Sequence, residues 1–243
     1  MTNAPTADPV AAPPSGSADR LFGAPPEDGP ACGRKLLLNI GCGAEDITLP
    51  PGLFPAEEWR EVRLDIDPSV QPDILASITD MAPVPDASID AVWSSHNFEH
   101  LFQHEVAQAA RECLRVLKPG GRLLISVPDL KPVAEAILAG RLDLPLYESP
   151  AGPISAHDML YGYGAAIAAG HHYMAHRTGF TQESLGRVLF EAGFDPVMVN
   201  RPSPYDLAAL AFRPPVPAEI LALHGLLPTD QPSASDTASK AIP

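Results

Sequence analysis

The stretch KLLLNIGCGAE, Lys35 to Glu45, decides the fold. Its first six residues, Lys35–Ile40, are an apolar run without polar alternation, the pattern of a strand buried on both faces. The run ends in Gly41-Cys42-Gly43, a turn through which a ligand can approach the backbone closely. A second strand is predicted over Val62–Ile66 (VRLDI). It carries Asp65 near its end, close to the roughly 20-residue spacing at which an acid can accept hydrogen bonds from both hydroxyls of a ribose. Asp67, two residues on and on the same strand face, is its rival.

Outward from this unit, strands and helices alternate. Short strands are predicted at Asp73–Ala76, Asp90–Ser94 and Arg122–Val127. His104–Leu117 (HEVAQAARECLRVL) places apolar residues at helical spacing, and Pro119-Gly120-Gly121 is expected to end that helix. Leu130–Ala139 reads as a helix. So does Thr181–Ala192, with Thr181 at its start and Gly193 at its end. Pro196–Asn200 and Leu207–Phe212 read as two last strands, and the short connection between them favours an antiparallel pair. The pattern predicts an α/β fold: a mostly parallel sheet, antiparallel at its end, with helices on both faces.

The 29 prolines among 243 residues are unevenly placed. Seven fall within residues 1–33, which read as a disordered Pro/Ala-rich leader. Residues 226–243 read as a flexible tail, leaving 34–225 as one folded domain. The formal charge of −14 and the lack of a basic stripe argue against a nucleic-acid substrate. Three cysteines without a CxxC pair suit a reducing compartment. No basic-then-apolar leader and no membrane span is visible, so a soluble, cytoplasmic protein is expected.

The glycine turn admits more than one nucleoside cofactor. A dinucleotide fold needs a helix N-terminus after the glycines to hold a pyrophosphate. Here Glu45 and Asp46 would repel one, and prolines at 50, 51 and 55 interrupt a crossover helix. A sulfonium cofactor without phosphate, S-adenosylmethionine, is better matched to this charge than NAD(P).

LLLNIGCGAE, VRLDIDP, DASIDAVWSSHNFEHL and RECLRVLKPGGRLLISVPDL, in that order, resemble the successive motifs of the class I S-adenosylmethionine-dependent methyltransferases, in particular the type 11-like group. The likeness covers about residues 35–130, with FTQESLGRVLFEAGF resembling a later helix. It implies a Rossmann-like seven-stranded sheet whose last strand is antiparallel. It also implies that Asn39, Gly41, Cys42 and Gly43 line the methionine and ribose parts of the cofactor. Asp65 would hold the ribose, Ile66 would lie beside the adenine and Asp80-Met81 at its edge, and Ser95 and His96 would face the sulfonium. Two positions depart from the family pattern. Asn39 stands where an acid is common, and Ser77 stands where an adenine-contacting acid is usual, which makes Asp80 its substitute.

Methyl transfer from a sulfonium is an in-line displacement in which the protein aligns the acceptor and, where needed, takes its proton. The residues for this are expected near the end of the fourth strand and in residues 131–180, a substrate-covering insertion rich in Gly, Tyr and His. His96 is the candidate catalytic residue. Asp129, Tyr161, His172, His176 and Arg177 are candidates for the acceptor pocket. His96, His100 and His104 are spaced i, i+4, i+8 with Glu99 between, and His171, His172 and His176 form a second group. His96 directly follows a strand and no cysteine joins either group, so capping and pocket roles are expected and no metal site is predicted.

These readings converge on methyl transfer from S-adenosylmethionine to a small-molecule or glycan-type acceptor. The alternatives are a non-catalytic methyltransferase-like cofactor-binding or partner module and, from another class, an NAD(P)-dependent oxidoreductase.

Overall fold

The computed structural model describes residues 33–44, 49–50 and 52–226. The leader reading over 1–33 and the tail reading over 226–243 therefore lie almost wholly outside the described residues, as does the charge argument from Glu45 and Asp46.

Nine strands are described: β1 (Lys35–Ile40), β2 (Trp59–Asp65), β3 (Ile74–Leu75), β4 (Ile89–Ser95), β5 (Leu117–Pro128), β6 (Pro145–Ser149), β7 (Gly152–Ser155), β8 (Val197–Asn200) and β9 (Asp206–Phe212). Seven form one sheet in the order β3-β2-β1-β4-β5-β9-β8, and β6 pairs with β7 as a separate ribbon. β1 to β5 run parallel, whereas β9 is antiparallel to both of its neighbours. This is the predicted seven-stranded sheet with an antiparallel last strand. The chain starts at β1, moves outward to β3, then returns to β4 beside β1. The order thus reverses between β1 and β4, and open α/β sheets bind ligands at such a point, outside the carboxyl ends of the strands.

One face of the sheet is covered by α1 (Gln103–Val116) and α5 (Gln182–Glu191). α1 turns Val106, Ala109, Ala110, Cys113 and Val116 inward, onto Leu38, Ile40, Val92, Leu123 and Ile125. α5 starts as expected, with Thr181 Oγ1 accepting from the Ser184 N–H, and Gly193 follows it. On the opposite face Leu37 and Ala91 pack with Phe54 and Trp59. There the Arg122 guanidinium stacks over both rings at 5.9 and 5.2 Å. A last helix, α6 (Ala218–Leu223), reaches this side, where His224 meets the Phe212 ring. The described residues between β1 and β2 hold turns and no helix, in line with the prolines there.

Pro119-Gly120-Gly121 does more than stop a helix. α1 ends at Val116, and the chain is already strand at Leu117. Ile89 pairs with Leu117 and Ala91 with Arg122, so the intervening residues bulge out of register. The bulge is held from the other side, by Gly120 N–H to Arg213 O at 2.8 Å and Arg213 N–H to Gly121 O at 2.9 Å. A proline is tolerated in a strand at such a bulge, where the ladder does not need its N–H.

The segment after β5 folds as a small layer of its own. α2 (Leu130–Leu138) and α3 (Ala156–Tyr161) pack through Val133, Ala136, Ala156 and Met159, with the β6–β7 ribbon beside them. A five-residue helix, α4 (Gly164–Ala168), and a 3-10 turn (His172–Met174) follow. The segment returns to the sheet end through three backbone bonds. Leu130 N–H meets Phe180 O at 2.9 Å, and the N–H groups of Arg177 and Thr178 meet Glu99 O at 2.8 and 3.1 Å.

Candidate active site

The carboxyl ends of β1, β2 and β4 converge. Gly41 and Gly43 both have positive φ (62° and 63°), the left-handed region open to glycine at little steric cost. Gly41 has a second reason to lack a side chain, because a Cβ there would stand 2.4 Å from Cγ of Asn97. The turn is braced from β2. Asp65 Oδ2 accepts from Gly43 N–H at 2.9 Å, and Arg63 donates to Gly43 O at 2.6 Å. Asp65 Oδ1 accepts from Asp67 N–H at 3.0 Å. Each carboxylate oxygen has a lone pair left, so Asp65 can still accept from hydroxyls. The Asp67 side chain is engaged elsewhere. Its Oδ1 accepts from Ser69 N–H at 2.8 Å, capping the 3-10 turn Pro68–Val70. The Ser69 side chain first, and then its N–H, hold the Asp67 carboxyl below its usual range.

Beyond β4 the backbone is strained. His96 has φ of 49°, which is costly for a residue with a Cβ, and its N–H donates to Ser126 O at 2.9 Å. Its imidazole is half-exposed, with Nδ1 3.3 Å from Glu99 Oε1 and Nε2 3.8 Å from Asp206 Oδ1. Desolvation pulls the His96 pKa down, but the nearby Glu99 carboxylate, with Asp206 behind it, outweighs this and holds it above its ordinary value. Desolvation wins at His176, whose pKa is lowered.

Polar atoms without partners mark where a ligand could bond. Asn97 Nδ2 and Ser94 Oγ, both buried, have no hydrogen-bond partner among the described residues. Buried donors are rarely left so, because each forfeits the full desolvation penalty. The orphaned Asn97 amide lies against the glycine turn, which therefore fits a polar cofactor whose groups would complete the set. Asn97 is the residue that sequence reasoning missed. Its signal was only positional, as the second residue after a strand at the switch point.

The other predicted residues are distributed as follows. Asn39 is buried, and its amide donates to Glu61 Oε1 at 2.7 Å. Cys42 is buried beside the turn, and burial pushes its thiol pKa up to about 11, leaving it neutral. Ile66 is a large apolar side chain left 51% exposed just past Asp65. Asp80 is exposed and bonds Ala82 N–H, while Met81 lies wholly inside the core, underneath any surface that a ligand could reach. Ser95 is exposed beside His96.

Among the acceptor-pocket candidates, Asp129 is fully buried and paired with Arg201 at 2.5 Å while it caps α2 through Lys131 N–H. It is thus occupied by structural bonds. Arg177 stacks on Phe102 at 4.7 Å. Tyr161 lies against His157, at 5.0 Å between ring centroids. His172 is exposed in the 3-10 turn. His176 is drawn in to His100, with 5.0 Å between the rings.

Known proteins place this arrangement. A family model described as a methyltransferase domain matches residues 38–125. A probable S-adenosylmethionine-dependent methyltransferase of Mycolicibacterium smegmatis is 49% identical over 107 residues, 40% of this chain and 40% of that protein. A protein of the same description from Mycobacterium tuberculosis is 32% identical over 106 residues, 41% of this chain and 38% of that protein. The match thus spans about two fifths of the length of these curated relatives. A crystal structure of a Pyrococcus horikoshii protein superposes with a TM-score of 0.52 at 13% identity, covering 74% of this chain and 82% of that one, which speaks for the fold alone. The seven-stranded sheet, parallel but for β9, matches the Rossmann-like methyltransferase fold. Residues 38–125 are thus similar to a methyltransferase domain, and the curated relatives that match are described as probable S-adenosylmethionine-dependent enzymes.

Proposed function

We propose that this chain catalyses transfer of a methyl group from S-adenosylmethionine to a small-molecule or glycan-type acceptor, as a cytoplasmic enzyme. The observation that carries the reading is the junction at the switch point. There the Asp65 carboxylate is tied to the Gly43 N–H at 2.9 Å, and the unpartnered Asn97 amide lies against Gly41. When bound, the cofactor supplies an electrophilic methyl on a good leaving group. Asp65 holds the ribose diol, with Ile66 beside the adenine and Asp80 at its edge. The backbone of Gly41, Cys42 and Gly43, with Asn39 behind them, lines the rest.

His96 is the catalytic candidate because of where β4 ends, next to β1 at the switch point. Its left-handed backbone aims the ring away from the strand, between Glu99 and Asp206. Ser95 stands at the same strand end. The segment 131–180 supplies the acceptor wall, with Tyr161, His172, His176 and Arg177 as its polar and aromatic members. Asp129 serves that wall indirectly, by fixing α2 and Arg201. The net charge of −14 supports an acceptor other than nucleic acid.

Calorimetry with S-adenosylmethionine, S-adenosylhomocysteine and NADH tests the cofactor reading. Binding of the first two without the third is expected, and binding of NADH alone would overturn it. Transfer of a labelled methyl group to a panel of small hydroxy, amino and sugar compounds tests the activity. A chain that binds the cofactor but methylates no member of a broad panel would favour the non-catalytic module.

A further inference from the structure

Glu99 is buried to 1% exposure, and neither of its carboxylate oxygens has a hydrogen-bond partner among the described residues. Its one close contact of opposite charge is from the half-exposed His96, with Nδ1 3.3 Å from Oε1, and a carboxylate this buried is ordinarily fully paired or coordinates a metal. The groups around it are nitrogen ligands. One ligating atom from each of Glu99, His100 and His176 lies within 4.8 Å of the other two. The imidazoles are also oriented from behind. His100 Nδ1 stands 3.2 Å from Ala175 O, and His176 Nδ1 stands 2.8 Å from Met159 O. A carbonyl only accepts, so in both rings Nδ1 carries the proton and Nε2 keeps the lone pair. This outer-shell arrangement fixes the tautomer of metal-bound histidines.

We propose that Glu99, His100 and His176 form a binding site for a divalent ion of the zinc kind. Two imidazoles and one carboxylate suit zinc and its first-row neighbours, whereas magnesium prefers a shell of oxygens. With metal–ligand distances near 2.0–2.1 Å, tetrahedral donors stand roughly 3.4 Å apart, so a small rotation of the side chains closes the site. Three protein ligands leave a further position for water or another oxygen ligand. His96 Nδ1, 3.3 Å from Glu99 Oε1, borders that position.

The ligands come from two places that the sequence keeps far apart. Glu99 and His100 follow β4, and His176 belongs to the segment after β5. A bound ion would therefore clamp that segment onto the sheet end, where Arg177 and Thr178 already bond to Glu99 O. His104, stacked on Phe102, and His171, exposed just before the 3-10 turn, lie outside the cluster and serve as internal controls. The proposal does not rest on methyl transfer, since an ion can bind whether or not a methyl group moves.

The test uses the full chain without a histidine tag, stripped with chelator and titrated with Zn2+ by calorimetry and with Co2+ by visible absorption. One zinc per chain, an intense tetrahedral cobalt band and no competition from Mg2+ are expected. His176→Ala and Glu99→Gln are expected to weaken zinc by more than the roughly 10- to 100-fold that loss of an outer-shell partner costs. His104→Ala and His171→Ala are expected to bind like the unaltered chain. Zinc is also expected to raise the Tm of the unaltered chain and not that of His176→Ala. If either ligand variant fails to fold, the unaltered chain decides. No zinc uptake in the micromolar range, or a cobalt spectrum without a tetrahedral band, overturns the proposal. So does zinc affinity that survives His176→Ala or is lost in His104→Ala.

Discussion

Gly41 and Asn97 occupy each other's space: the amide carbon of Asn97 lies 2.4 Å from where a Cβ on Gly41 would be. The contact ties the turn after β1 to the turn after β4, across the point where the strand order reverses. Gly41→Ala should therefore act twice. The left-handed φ of 62° costs an alanine about 1–2 kcal/mol, and the methyl must push Asn97 off the turn. The expected outcome is a modest fall in Tm together with a large loss of S-adenosylmethionine affinity by calorimetry. Asn97→Ala in the unaltered turn should lose affinity with little change in Tm.

Asp65 and Asp67 separate by what each already bonds. Asp65 reaches the glycine turn, whereas Asp67 turns back to cap Pro68–Val70. Hydrogen bonds to a charged group contribute about 1.5–3 kcal/mol each, so Asp65→Ala should weaken S-adenosylmethionine by roughly 10- to 100-fold or more. Asp67→Ala removes a cap worth about 1 kcal/mol and should leave affinity within a few-fold. Calorimetry on the two variants checks this, and the reverse result would move the ribose to Asp67.

The parallel core was legible because central strands buried on both faces are mostly apolar runs without polar alternation, as at Leu36–Ile40 and Leu123–Val127, each broken by a single polar residue. Strand ends were less so. β2 starts at Trp59, ahead of Val62, because Trp59 packs edge-on against Phe54 under the sheet, a tertiary contact with no local pattern. Pro119-Gly120-Gly121 carries the signature of a helix stop, and only its pairing with Arg213 makes it part of a strand. At the site, glycines and acids announce themselves by type and spacing. Asn97 does not, since an asparagine after a strand reads as an ordinary turn residue. His100 and His176 appeared as members of two separate histidine groups, and only the return of the chain at Ala175–Thr178 brings them together.

Asp129 illustrates how a polar residue at the mouth of a site can be structural. It is fully buried, and its partner Arg201 donates from Nε at 2.6 Å. Removing one side of such a pair leaves an uncompensated charge, at a cost of about 3–5 kcal/mol. Arg201 is partly exposed and Asp129 keeps its bond from Lys131 N–H, which places Arg201→Ala near the low end. A fall in chemical-denaturation stability of about 3 kcal/mol is expected. Asp129→Asn, which removes the charge, should cost less than Arg201→Ala. Equal losses would mean that burial of the charge is not what makes the pair matter.

Acid sensitivity should have an identifiable source on α1. Glu112 accepts from Arg115 Nε at 2.8 Å and from Met81 N–H at 2.8 Å, and the bond from Arg115 comes first among the causes that hold its carboxyl below the usual value. A folded-state pKa below the unfolded one means that the unfolded chain binds the proton more readily. The stabilisation from Glu112 is then fully present above the unfolded value of about 4.3 and fades as pH falls through the folded one. Glu112→Gln should be less stable than the unaltered chain at pH 7, and the gap should narrow as pH drops from 5 toward 3, roughly one pKa unit either side of that value. Urea unfolding at a series of pH values measures both curves. A gap that stays constant across this window would show that Glu112 acts through packing rather than through its charge.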